Sequence, residues 1–283
     1  FSLRRVWSRP WRRGVRHSSQ YGQWLTKGEL GDKVRIFGEY AEQYDAHRPD
    51  YPPEMWDAIT AGRSGAAADI GCGTGRGAIT LAARGFSPVF GVDPDPGMLR
   101  AGQAAADEQK VAVNFVEAGA ESPGLEPGSI EVMTMLQCFH WFNAQKALQS
   151  AADALAPNGV LAVVWNDRDL GVHWVQQWEG LMEQYNPAYR REMRQCDSKF
   201  LSPDDCKPLE LVSRLDFAHE VHIPTPEAIV DVSLTYSYVQ NVLDESQRTH
   251  FVFELRELLG RHLKWGPCTI PMIARLYLLR KPS

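Results

Sequence analysis

Residues 69 to 75 read D-I-G-C-G-T-G (Asp69-Ile70-Gly71-Cys72-Gly73-Thr74-Gly75) and follow the short apolar run Ala66-Ala67-Ala68. Glycine at three alternate positions behind a strand end strips the Cβ atoms from the loop, so a ligand can lie against the main chain and unusual φ values cost little. In α/β folds that place, the carboxyl edge of a parallel sheet, is where ligands bind. The loop argues for a ligand and by itself leaves its identity open. Gly73-Thr74-Gly75-Arg76-Gly77-Ala78 also fits the dinucleotide pattern G-x-G-x-x-A, with Asp93 lying 18 residues beyond Gly75.

The surrounding sequence alternates. Apolar runs suited to buried strands occur at Ala66 to Ile70, Pro88 to Val92, Val113 to Val116, Ile130 to Leu136 and Val160 to Trp165, separated by helical segments or helix-sized gaps. Short strands alternating with helices are what a parallel sheet covered on both faces requires. Turn chemistry falls at the joints, at Pro96-Gly97, Glu126 to Gly128 and Pro157 to Gly159. Upstream, a helix is expected from Lys33 to Asp45, broken at Arg48 to Pro53; Pro52 and Pro53 then seed a second, with Met55, Trp56 and Ile59 at helical spacing. Beyond Asn166 the pattern loosens: a helix is expected over Trp174 to Tyr185, a strand over Phe217 to Ile223, helices over Pro226 to Leu234 and Glu245 to Leu263, and a long last strand over Thr269 to Leu279. Residues 33–283 read as one domain.

Composition narrows the function. The five cysteines are odd in number, widely spaced and without a C-x-x-C pair, which argues against a disulfide framework or a zinc knuckle and for a reducing compartment. No run approaches the roughly 20 apolar residues that cross a bilayer. Residues 1–20 hold six arginines and no acid, the composition of a mitochondrial presequence; a basic tail is the alternative, and with it a cytoplasmic location. Without those six, 24 basic residues face 35 acidic ones, a formal charge of −11. An acidic body of that kind repels phosphate backbones, so no nucleic acid partner is expected. The oligomeric state is not legible.

Asp69 to Gly75 resembles the first motif of the class I S-adenosylmethionine-dependent methyltransferases, in which an acid directly precedes the first glycine. Further matches follow in family order. Phe90 to Asp93 (F-G-V-D) resembles the second strand and its ribose-binding acid, Phe115 to Glu121 the third strand and adenine loop, Leu136 to Phe142 (L-Q-C-F-H-W-F) the end of the fourth strand, and Leu155 to Leu161 the turn before the fifth. The resemblance covers about residues 33–166. Tyr44 to Pro52 (Y-D-A-H-R-P-D-Y-P), Gln137 to Phe142 and the closing Cys268 to Lys281 are most similar to the subgroup that includes trans-aconitate methyltransferases.

The resemblance implies an α/β, Rossmann-like, mostly parallel seven-stranded sheet with helices on both faces and an antiparallel last strand, with acceptor-binding insertions around residues 167–265. It implies S-adenosyl-L-methionine as cofactor, held by Asp69, Gly71, Cys72, Gly73, Gly75, Asp93, Pro94, Met98, Gly119, Ala120, Glu121 and Gln137. Asp93 would take both ribose hydroxyls, Pro94 and Met98 would flank the adenine, and Asp69 would hold the glycine turn or receive the methionine amino group. Gly119 stands where an acid is expected, so backbone groups or Glu121 would read the adenine amino group.

Transfer from a sulfonium methyl is an in-line displacement that needs orientation more than acid or base help, and orientation of this kind is worth ~7 to 11 kcal/mol. His140 and Trp141 match positions facing the methyl, and His140 can orient or deprotonate an acceptor. Tyr44 and Arg48 would form part of a lid, Arg48 pairing with an acidic acceptor. The acceptor is expected to be a small molecule, a carboxylic acid first, O-methylated. No metal is expected; Asp167 and Asp169 read as loop acids. Two other classes stay open: an NAD(P)-dependent oxidoreductase, whose Tyr-x-x-x-Lys pattern occurs only at Tyr277 to Lys281, in an expected terminal strand where a dyad has no site to serve, and a non-catalytic cofactor-binding protein.

Overall fold

The computed structural model describes residues 50–186, 189, 201–240 and 242–282. The helix expected from Lys33 to Asp45, the lid residues Tyr44 and Arg48 and the basic segment 1–20 lie outside them.

Pro53 opens the first helix, α1 (Pro53–Thr60), which buries Met55, Trp56 and Ile59 on one face. Strand β1 (Ala67–Ile70) is buried at all four positions and runs into the glycine loop. Gly75, left-handed at φ 79°, starts α2 (Arg76–Ala83). Strand β2 (Val89–Asp93) leads to Asp95, whose carboxylate accepts from the N–H groups of Gly97 and Met98 and so caps α3 (Pro96–Gln109). There follow β3 (Asn114–Glu117), β4 (Ile130–Leu136), a short 3-10 turn at Phe139–Trp141, α4 (Ala144–Ala154) capped by Asn143, β5 (Leu155–Arg168) and α5 (His173–Tyr185). The chain closes with β6 (Glu210–Ile223), α6 (Pro226–Thr235), α7 (Ser237–Gln240), α8 (Glu245–His262) under an Asp244/Gln247 capping box, and β7 (Cys268–Arg280).

The seven strands form one sheet in the order β3-β2-β1-β4-β5-β7-β6. β1 pairs in parallel with both β2 and β4, which makes its carboxyl end the switch point of the sheet. Only β7 runs antiparallel, between β5 and β6, as expected of the last strand. Alternation assigns the faces: in β5, Leu161, Val163 and Trp165 pack in one core with α4, whereas Val160, Ala162 and Val164 pack in another under α1 and α2. A third cluster joins α5, α6 and α8 to the ends of β6 and β7.

Two strands are longer than their apolar signals. β5 starts at Leu155, before its apolar run, and β6 begins seven residues ahead of Phe217 because its covered face includes Ser213, which masks the alternation. The aromatic side chains divide between the cores. Trp165 packs with Phe139 and Tyr277, while Trp174 and Trp178 stack on the third cluster.

Two packing details are sharply testable. Phe115 of β3 fills a hollow made by three glycines: a methyl group at Gly75, Gly91 or Gly102 would come within 2.8 Å of its ring. Arg168, at the end of β5, is buried against Glu179 of α5, with its guanidinium 4.3 Å from the Trp178 ring centroid and 5.2 Å from that of Tyr236. Gly102→Ala replaces a poor helix former in α3 by the best one, worth ~1 kcal/mol of helix propensity. The collision with Phe115 outweighs that gain, and urea denaturation should show a net loss of about 1–2 kcal/mol, relieved by the added change Phe115→Leu. Glu179→Ala strands a buried guanidinium and should cost about 3–5 kcal/mol, whereas replacing the pair by Arg168→Met with Glu179→Leu should recover most of it.

Candidate functional site

The carboxyl ends of β1, β2, β4 and β5 meet at one edge of the sheet. All three loop glycines are left-handed, with φ of 67°, 53° and 79° at Gly71, Gly73 and Gly75, yet they serve different ends. A Cβ at Gly71 would meet Cys138 and Phe142 at 2.9 Å, and one at Gly75 would meet Phe115. At Gly73 nothing lies within 4 Å. The close approach that the sequence motif requires is therefore internal at Gly71 and Gly75, and only Gly73 presents bare backbone to open space. Gly77, one turn on, is also obligatory: a methyl there would collide with the Asp69 carboxylate and stand 2.7 Å from Leu136 Cδ1.

Asp93, at the end of β2, is tied to the loop. Its Oδ2 accepts from the Gly73 N–H at 2.9 Å and its Oδ1 from the Asp95 N–H at 2.9 Å. Each oxygen keeps a second lone pair for a further donor. Burial pushes the Asp93 carboxyl above its usual range, against the opposing pull of these two N–H groups. Asp69 is deeper, 1% exposed, and its Oδ1 accepts from the Thr134 hydroxyl at 2.6 Å. Burial pushes it up to about 7, although Thr134 and the Ala78 N–H favour the charged form. Those two bonds tie β1 to β4 and to α2, which is the work of a brace for the glycine turn.

The other expected residues fall around this pair. Cys72 is buried, its backbone N–H bonding Val92 and its thiol held uncharged by burial. Pro94 is exposed, while Met98 is buried with Gly102 and Ala106 on the inner face of α3. Ala120 is buried, and Gly119 accepts from the Ser122 N–H. Glu121 Oε1 accepts from the Asn143 N–H at 2.8 Å and so ties this loop to the start of α4. Gln137, left-handed at φ 56°, donates its backbone N–H to Val164 and its Nε2 to the Asn166 carbonyl at 2.8 Å, clamping the ends of β4 and β5 together. His140 is exposed and its ring lies 5.1 Å from that of Trp141, itself 45% exposed.

Asp167 and Asp169 do not converge. Asp167 Oδ2 lies 3.8 Å from Arg275 Nη1, and Asp169 Oδ1 accepts from the Gly171 N–H. Among the described residues no group of three or more metal-ligating side chains forms, and no helix is long and apolar enough to cross a membrane. Tyr277 pairs with Val163 in the middle of the sheet, and Lys281 stands at the amino-terminal end of β5. Tyr277 is buried in the α4 core and Lys281 Nζ donates to the Leu155 carbonyl, so they make no dyad at the ligand edge.

Two residues at this edge carry no motif. Asn166, the first polar residue after the apolar run of β5, is buried, and its Oδ1 lies 2.8 Å from Nε2 of His219 on β6. Asn166 is visible in sequence as the residue that stops the run. His219 is not, because two intervening strand pairings bring it there.

A methyltransferase domain model matches residues 68–163. An uncharacterized methyltransferase of Mycobacterium tuberculosis (Rv3342) is 30% identical over 235 residues, covering 82% of this chain and 88% of the relative. One of Schizosaccharomyces pombe (C25B8.09) is 31% identical over 53% of this chain and 59% of its own. Among solved structures, phosphoethanolamine N-methyltransferase 2 of Haemonchus contortus in complex with S-adenosyl-L-methionine aligns at TM-score 0.54 with 15% identity, covering 92% of this chain and 61% of that one. The [4+2]-cyclase SpnF aligns at 0.58 with 14% identity over 91% and 97%. The same architecture thus carries another chemistry in SpnF, and likeness at this identity speaks for the fold alone. With the sequence relatives, the ordered motifs and the sheet order in agreement, the chain belongs to the class I S-adenosylmethionine-dependent methyltransferases, an enzyme with S-adenosylmethionine as its cofactor.

Proposed function

We propose that this enzyme methylates a small molecule at the carboxyl edge of its sheet, with the cofactor lying on Gly73 and its ribose on Asp93. The observation that carries the reading is the pairing of open main chain at Gly73 with a carboxylate two of whose lone pairs are unused. A sulfonium nucleoside fits this pairing: the sugar hydroxyls can donate to Asp93, and a cation relieves two buried carboxyls. When bound, the cofactor supplies an already activated methyl group. The chain's own work is then to orient the acceptor and exclude water. In this reading Gly71, Cys72 and Gly75 shape the loop, Asp69 braces it, Pro94 and Met98 border the adenine, Gly119, Ala120 and Glu121 close that side, and Gln137 holds the floor under the methyl. His140 and Trp141, with Tyr44 and Arg48 of the lid, complete the acceptor side.

The resemblance to trans-aconitate methyltransferases makes a carboxylic acid, with Arg48 as its counter-charge, one candidate acceptor; a hydroxyl, thiol or amine is the other. We place the acceptor-selecting elements around residues 167–265, within a single domain spanning 33–283, and read residues 1–20 as a mitochondrial presequence.

Asp93→Ala should leave the chain folded and abolish S-adenosylmethionine binding in calorimetry; wild-type affinity in that variant would refute the ribose assignment. Gly73→Ala should cost about 1–2 kcal/mol of stability for its left-handed backbone, but weaken cofactor binding more than about tenfold (1.4 kcal/mol), because its methyl group enters the open space.

The raised carboxyls make binding pH-dependent. Asp69 holds its proton up to about 7 in the free protein, and a bound cation favours the ionised form, so binding below that pH releases a proton. Affinity should therefore climb from pH 5.5 to 7.5 and then level, with a matching proton release in calorimetry across buffers of different ionisation enthalpy. A flat profile would remove the charge argument.

A further inference from the structure

The end of β5 is linked to β6 by one side-chain pair. Asn166 Nδ2 donates to the Asp50 carbonyl at 3.3 Å, which fixes the amide so that Oδ1 points to His219. An amide oxygen only accepts, so His219 Nε2 must carry a hydrogen, and in the neutral ring Nδ1 is left as the acceptor. No described residue bonds Nδ1. The link crosses β7 at Ala274, the residue in register with Asn166 on one side and Phe217 on the other. Because Gln137 Nε2 donates to the Asn166 carbonyl, the chain of bonds runs unbroken from β6 to the end of β4, where the motif His140-Trp141 begins. Burial lowers the affinity of His219 for a second proton, with Glu54 of α1 opposing it.

We propose that His219 is the catalytic base of this enzyme, with Asn166 as its positioning residue, and that the methyl acceptor is accordingly a hydroxyl, thiol or amine rather than a carboxylate. This rests on the methyl-transfer reading and deepens it. The acceptor's lone pair forms the bond to the methyl carbon, the electrons of the S–CH₃ bond stay on sulfur, and the acceptor's proton passes to Nδ1 of His219. The imidazolium keeps its Nε2–H bond to Asn166 and later releases the proton to water. A carboxylate has no proton to give at neutral pH and asks for a cation instead. Among the described residues at this edge, the arginines of β5 and β7 already face acids, Arg168 with Glu179 and Arg275 with Asp167.

The full chain is incubated with methyl-labelled S-adenosylmethionine and a small-molecule extract of cells, and the labelled products are treated with mild alkali. Methyl esters release volatile labelled methanol, whereas ethers, thioethers and methylamines do not. The expected result is alkali-stable label whose formation falls by about 100-fold or more, the usual contribution of a general base, in both His219→Ala and His219→Gln. Cofactor affinity should stay within about twofold, and added imidazole should partly restore His219→Ala. His219→Gln keeps a donor for Asn166, so it separates loss of the base from loss of the bond. Alkali-labile label, or either folded variant transferring at the wild-type rate, would overturn the proposal. No transfer by a wild-type chain that binds the cofactor would overturn the methyl-transfer reading as well.

Discussion

The carboxyl edge of this protein depends on the bond between the Gly73 N–H and the Asp93 carboxylate. It joins the loop after β1 to the end of β2, holds the one glycine of that loop with open space in front of it, and leaves the acid with lone pairs to spare. A carboxylate accepting backbone N–H bonds is normally driven toward ionisation, but here burial wins and the group is pushed up. A site built this way is at its least satisfied when empty of cations. In the proposed reading, recognition of a positively charged nucleoside follows from that imbalance.

The glycine-rich loop is often taken as a surface made bare for a ligand. In this chain most of the bareness is structural. Gly75, Gly91 and Gly102 make room for Phe115, Gly71 makes room for Cys138 and Phe142, and Gly77 makes room for the Asp69 carboxylate. Close-packed interiors transmit such constraints, so the loop is rigid because its back is filled. That rigidity would let Gly73 offer open main chain and Asp93 offer fixed acceptors without an ordering cost on binding.

Much of the fold was legible in sequence because apolar strands, turn residues and ordered motifs agree over residues 66–166. β1, β2 and β4 match their apolar runs closely. β6 was only half visible, since Ser213 interrupts the alternation and the strand draws its register from β7. Residues that the structure brings together at the carboxyl edge were legible where a local motif marks them, as at Asp69, Gly73 and Asp93. They were invisible where topology does the assembling. His219 lies in a run of alternating residues with nothing to distinguish it, and Asn166 gains meaning only when Gln137, Asp50 and His219 converge on it. Glu121 shows the converse: its position in the motif suggests a ligand contact, and the structure gives it the Asn143 N–H at the entry to α4.

The most direct test of this account is to titrate the wild-type chain, in parallel calorimetric experiments, with S-adenosylmethionine and with NAD. Open backbone at position 73 beside the Asp93 carboxylate, with two carboxyls pushed up by burial, predicts saturable one-to-one binding of the sulfonium nucleoside and none of the pyrophosphate-bridged one. Binding of NAD, or heat from neither ligand, would contradict it.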